Sequence, residues 1–167
     1  VWVARAEGNS AGAHRQPCDL ARLTIEVVRE AVPRAIEKRI DLGYDGLDPG
    51  SRGVVLEGNP TLLKELVRNL VDNAINYTPS RPERTGVITA RVLADPFGRV
   101  LLLQVEDNGP GISEADRELV FEPFYRVLGN EADGSGLGLP IVREIANQHH
   151  AQVTLEDAHP ERQPPGA

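Results

Sequence analysis

Apolar positions along this chain change period several times, and each change marks an element. Leu20, Leu23, Val27 and Ala31 recur at helical spacing behind Asp19, a residue suited to capping, so a helix is expected from Leu20. Pro33 is expected to kink or end it, although Ile36 carries the apolar pattern onward. Ile40, Leu42 and Tyr44 alternate with polar residues or glycine, as in a half-buried strand. Residues 46–53 read as a loop and Val54–Glu57 as a short strand. Asn59 and Pro60 supply the cap and first turn of a second helix, running to about Tyr77. Leu62, Leu63, Leu66, Val67, Leu70 and Ala74 form its apolar stripe. Val87–Ala94 and Arg99–Asp107 read as strands joined by the hairpin signal Asp95-Pro-Phe-Gly98. The unbroken run Val100-Leu-Leu-Leu103 places the second of them inside a sheet, covered on at least one side. Beyond it, Ser113 is suited to cap a short helix, 122–135 is irregular, Leu137–His149 is helical and Gln152–Glu156 is a strand.

The ends carry less pattern. Val1–Glu7 is compatible with the last turns of a helix, and Gly8–Ala13 is a linker of small residues. Disorder is expected over 8–16 and over the Pro-rich polar tail from Ala158.

Composition narrows the function classes. At 167 residues and 40% apolar content, the chain suits one domain with a sizeable core. A net charge of −7 argues against a nucleic-acid footprint and against adhesion to acidic lipid. Cys18 is the only cysteine, so no intrachain disulfide forms, and a small, partly buried side chain is its expected role. No apolar run is long enough to span a bilayer, no secretory signal is visible, and no methionine is present. A fragment of a longer reading frame is therefore expected.

Candidate chemistry lies in four short segments. The first is Asn69-Leu-Val-Asp-Asn73-Ala-Ile-Asn-Tyr77, on the second helix. Asn69, Asn73 and Tyr77 are spaced four apart and so share a face. Neutral amide oxygens there suit a divalent cation that is also held by phosphates and water. The second, Asp107-Asn-Gly109-Pro-Gly111, ends an apolar strand. Its carboxylate can accept from an exocyclic amine, and its glycines let backbone approach a flat ring. The third is Phe121-Glu-Pro-Phe124-Tyr-Arg126, two aromatics around a proline, suited to anchoring the base of a loop. The fourth, Gly134-Ser-Gly136-Leu-Gly138-Leu139, runs into a helix, where successive N–H groups favour phosphate. It is neither a P-loop nor a dinucleotide-binding fingerprint. Each segment is a weak signal alone; their order and spacing together are strong.

Together they resemble the N, G1, F and G2 boxes of the catalytic ATP-binding domain of sensor histidine kinases, over roughly Leu20 to Leu155. That family shares its sandwich with gyrase, Hsp90 and MutL. The resemblance implies an α/β two-layer sandwich of the Bergerat type, a mixed sheet covered on one face by about three helices, with a mobile ATP lid at 128–134. It implies ATP and Mg²⁺ as cofactors, with Asn69 on the metal, Asn73 on the phosphates, Tyr77 beside adenine and Asp107 reading the adenine amine. Gly109, Gly111, Ile112 and Phe121 fall in the same nucleotide-binding set, as do Arg126, Gly134, Ser135, Gly136, Leu137 and Gly138. Asn76 departs from the family, many members of which carry a basic residue there against phosphate. Glu65, one turn before Asn69, is expected to play a structural or supporting role.

None of the four histidines has the context of the family's phosphoacceptor; His149 and His150 close a helix, where partial positive charge suits the dipole. The resemblance then implies a phosphoryl-transferring kinase domain acting on a histidine of a dimerisation domain outside this chain. A response-regulator receiver is the next partner, with no nucleic acid and no direct membrane contact. The domain division would be 1–16 for the end of a dimerisation hairpin and its linker, 17–157 for the catalytic domain and 158–167 for the tail. A cytoplasmic location within an inner-membrane sensor is expected. An ATP-hydrolysing relative of gyrase or MutL, and a degenerate nucleotide-binding module, remain open alternatives.

Overall fold

The computed structural model describes residues 2–7, 15–97, 100–112, 114–122 and 138–156. Strands β1 (Trp2–Glu7) and β2 (Gln16–Asp19) precede helix α1 (Leu20–Glu37), β3 (Ile40–Tyr44) and β4 (Val55–Gly58). Helix α2 (Pro60–Tyr77), β5 (Gly86–Ala94) and β6 (Val100–Asp107) follow. Then come the short α3 (Glu114–Arg117), a 3₁₀ turn at Leu119–Phe121, α4 (Gly138–Gln148) and β7 (Ala151–Leu155). The main sheet has five strands in the order β3-β5-β6-β1-β7, and β2 pairs with β4 in a separate ribbon. Only β3 and β5 run parallel, so the sheet is mixed.

One face of that sheet is covered. Ile88, Ala90 and Val92 of β5 and Leu101, Leu103 and Val105 of β6 are buried, in alternation with half-exposed neighbours. They join the apolar sides of α1, α2 and α4 in one core. The sheet and its three long helices are the two-layer sandwich expected from the sequence.

Helices α1 and α2 start where side-chain caps allow. The Asp19 carboxylate accepts from the Arg22 N–H at 3.0 Å and from the Gly50 N–H at 2.7 Å. It thus caps α1 and ties down the loop that precedes β4. The Asn59 side chain accepts from the Leu62 N–H at 3.1 Å.

Four expectations are corrected. Trp2–Glu7 is a strand, not the end of a helix: it pairs antiparallel with β6 on one side and β7 on the other. Main-chain bonding along both edges overrides the helix-forming character of Ala4-Arg-Ala-Glu7. Gln16–Asp19, partly assigned to disorder, pairs with Val55–Gly58. Residues 8–14 and the tail from residue 157 lie outside the described residues. Helix α1 runs through Pro33, and Ala31 and Ala35, four apart, face the core, which leaves Ile36 66% exposed.

The fourth correction is His149. It is buried, its Nδ1 lies 2.8 Å from the Ile145 carbonyl, and its Nε2 accepts from the Asn59 N–H at 3.1 Å. A carbonyl can only accept and an N–H can only donate, so the geometry selects the neutral ring with its proton on Nδ1. His149 therefore clips the end of α4 to the start of α2 and supplies no charge to the dipole. Cys18 is buried outright, and burial raises its thiol pKa.

Two stability measurements check this packing. Leu70 is fully buried in α2, so Leu70→Ala should cost ~2–5 kcal/mol in denaturant unfolding. A Cβ at Gly58 would lie 2.7 Å from the His149 ring, so Gly58→Ala should cost ~1–3 kcal/mol by the same assay. Wild-type stability in either variant would contradict the packing described.

Candidate nucleotide site

The site is built along α2. Burial of Leu63, Leu66, Val67, Leu70, Val71, Ala74 and Ile75 fixes the helix in rotation. Asn69, Asn73, Asn76 and Tyr77 are left half-buried along its rim. The stripe is broader than the sequence predicts, with Val71 and Ile75 inside and Leu62 only partly buried, because α2 packs against both α1 and α4.

At one end stands Asn69. Its Nδ2 donates to the Glu65 carbonyl at 2.9 Å and to the Glu65 carboxylate at 3.2 Å. Both partners can only accept, so the amide is oriented with Oδ1 turned the other way. Glu65 thus has the supporting role expected of it. A Cβ at Gly138, the first residue of α4, would lie 3.1 Å from that Oδ1. The absent side chain brings the α4 N-terminus, whose first N–H groups have no partner within the helix, next to the amide oxygen.

At the other end stands Asp107, 7% exposed at the close of β6. Its Oδ1 accepts from the Gly109 N–H at 2.8 Å. A Cβ at Gly109 would meet Asp107 Oδ1 at 3.0 Å and the Tyr77 carbonyl at 3.5 Å. Gly109 therefore joins the carboxylate to the C-terminal end of α2. Gly111 has φ +79, a backbone state that glycine takes without strain. Ile112 is partly buried against the core, and its carbonyl accepts from Arg117. Phe121 is buried, with the Arg143 guanidinium 3.9 Å over its ring. Phe124, Arg126, Gly134, Ser135, Gly136, Leu137 and the expected lid at 128–134 lie outside the described residues.

Three features escaped the sequence reading. Asn108 prolongs the pairing of β5 and β6: its Oδ1 accepts from the Val87 N–H at 2.9 Å and its own N–H donates to the Val87 carbonyl at 3.2 Å. Thr78 is buried, and its hydroxyl has no hydrogen-bond partner among the described residues. Arg34 of α1 reaches the rim of α2, donating to Asp72 and to Asn76, each at 2.7 Å. Burial raises the Asp72 pKa against the opposing pull of Arg34. Thr78 directly follows Tyr77 and Asn108 lies between Asp107 and Gly109, so both had a local signal, whereas Arg34 had none.

An amide oxygen beside a helix N-terminus, amides along the rim of α2 and a buried carboxylate with glycine backbone thus stand in succession along one helix. Asn69 and Tyr77 are separated by about 12 Å along α2, comparable with an extended nucleoside triphosphate. Residues 58–166 match the family described as histidine kinase-, DNA gyrase B-, and HSP90-like ATPase. The chain belongs to that family. It is 39% identical over 135 residues to the swarming motility regulation sensor protein RssA of Serratia marcescens, an alignment covering 81% of this chain and 27% of RssA. Its fold matches the mycobacterial sensor histidine kinase MprB with a TM-score of 0.69 at 30% identity, covering 91% of each chain. It also matches full-length ShkA in complex with AMPPNP, with a TM-score of 0.61 at 27% identity, covering 83% of this chain and 27% of that one. The chain is thus a catalytic ATP-binding domain of the sensor histidine kinase type, and the gyrase-like alternative is not favoured. It spans less than a third of the length of the curated relatives it matches.

Proposed function

We propose that this domain binds ATP with Mg²⁺ and presents the γ-phosphoryl group to a histidine on a dimerisation domain outside the chain, for relay to a response-regulator aspartate. The observation that carries this reading is the pairing of the buried Asp107 with Gly109 at the end of α2, opposite the Asn69–Gly138 junction. A carboxylate that accepts from a backbone N–H on one side is suited to accept from the adenine amine on another.

The residues present fit the cofactors. Among the described residues, no group of three or more His, Cys, Asp or Glu side chains could cage a metal. A single oriented amide oxygen at Asn69 instead suits Mg²⁺, which keeps several waters and phosphate oxygens as ligands. Mg²⁺ would supply neutralisation of the phosphates. The α4 N-terminus and Asn73 would hold the phosphate oxygens, Tyr77 would line the base, and Gly109, Gly111 and Ile112 would shape the base side. Phe121, clamped by Arg143, would anchor the segment that carries Arg126. Gly134, Ser135, Gly136 and Leu137 complete the proposed phosphate loop ahead of Gly138. Positioning and charge shielding are what such a site contributes to phosphoryl transfer.

The working unit we propose is 17–157 together with β1. No described helix is long and apolar enough to cross a membrane; we propose a cytoplasmic place for this domain within a membrane sensor.

Asp107→Asn should weaken ATP binding by ~1.5–3 kcal/mol in calorimetry, because a donor then faces the adenine amine and a charge-assisted bond is lost. GTP should bind poorly, since its O6 would confront the carboxylate. Unchanged ATP affinity in the variant would reject the role of Asp107. Incubated alone with ATP·Mg²⁺, the chain should incorporate no acid-labile phosphate, for want of a suitable histidine. Phosphohistidine forming on the isolated chain would contradict that assignment.

A further inference from the structure

The least secure strand of the main sheet is β1. It lies between β6 and β7, with Trp2 opposite Val105 and Leu155, and Ala4 opposite Leu103 and Val153. Among the described residues, β7 joins the sheet only through β1. Two opposing preferences meet in this strand. Ala4-Arg-Ala-Glu7 is made of helix formers, and alanine is a poor strand former. The hydrogen-bonding edges of β6 and β7 hold it extended instead.

Packing adds little to that hold. Beside Ala4 lies a cavity of about 30 Å³, walled by Leu20, Leu56, Leu101, Leu103 and the His149 ring among others. Both nitrogens of that ring are engaged, at Ile145 and Asn59, and the aliphatic walls give a water few partners. A void of this kind forfeits contacts that a larger side chain would make. The neighbouring strands place Val92, Leu103 and Val105 in the same layer, each buried.

The register ties β1 to the nucleotide site. It reaches Val105, two residues before Asp107, and is one of the two supports of β6. Without it, β5 alone would hold the strand that presents the carboxylate.

We propose that Trp2–Glu7 is a two-state strap. Docked as a strand, it braces β6 and the base end of the site; released as a helix, it lets that end loosen. An upstream helix would recruit the released state, because lengthening an existing helix avoids the cost of nucleation. The proposal rests on the ATP reading for its effect on nucleotide, and on β1 alone for the exchange of strand and helix.

Two fusions to the N-terminus of the full chain test it: a helix-forming Glu-Ala-Ala-Ala-Lys repeat and a Gly-Ser segment of equal length. Hydrogen exchange follows the amides of β7, and calorimetry follows ATP·Mg²⁺ and adenosine. Relative to the Gly-Ser fusion, the helical fusion should speed exchange in β7 about tenfold or more, with β3 and β5 unchanged. It should weaken ATP and adenosine alike by about fivefold or more, the lower end of ordinary coupling between sites. Ala4→Val, which fills the cavity and favours a strand, should reverse most of both effects. Equal exchange in the two fusions overturns the proposal, and so does acceleration that extends through β3 and β5, which would mean general destabilisation. Nucleotide affinity within about twofold of the Gly-Ser fusion, despite fast exchange in β7, overturns the link to the site. An unfused chain that binds neither ligand would defeat the ATP reading and that link with it, while exchange in β7 would still decide between one state and two.

Discussion

The rotational setting of α2 is the constraint on which the rest depends. Its apolar residues are claimed by α1, by α4 and by the covered face of the sheet, so the helix has one low-energy orientation. Any rotation would expose Leu70 or Val67 and bury amides without partners, at a cost of several kilocalories per mole. With that orientation fixed, Asn69 meets Gly138, Tyr77 meets Gly109, and Asn76 meets Arg34. The chemistry of the rim is thus a consequence of how the buried side packs.

The two elements that complete the site arrive by different routes. Asp107 is delivered by β6, a strand held on both sides by β5 and β1, so its carboxylate stands on a rigid support. Gly138 is delivered by α4, whose far end is clipped to the cap of α2 through His149. The clip couples the Asn69–Gly138 end of the rim to the start of the same helix that carries the amides. Sites whose members must agree to within a fraction of an ångström need this kind of support.

Much of this was legible in the sequence because it depends on local pattern. The caps Asp19 and Asn59, the period of α2, the antiparallel pairing of β5 with β6 and the Asp-x-Gly-x-Gly segment all act over short stretches of chain. Contacts between distant segments were not legible. Trp2–Glu7 has a helix-forming composition and becomes a strand only because β6 and β7 offer both edges. Gln16–Asp19 needs β4, about 40 residues away, for its pairing. Arg34 carries no signal in the sequence until α1 is packed on α2, and His149 reads as a helix-end charge until Asn59 is placed against its ring. Ile36 extends the apolar composition but not the phase, since the spacing of Val27 and Ala31 continues at Ala35 and leaves Ile36 outside the stripe.

The central claim is that one nucleotide lies along α2, with its base at Asp107 and its phosphates toward Gly138. A crystal structure of the chain with a non-hydrolysable ATP analogue and Mg²⁺ tests it most directly. The account predicts the adenine amine within hydrogen-bond distance of the Asp107 carboxylate and the metal on Asn69 Oδ1. A nucleotide bound in the opposite sense, or away from α2, would contradict it.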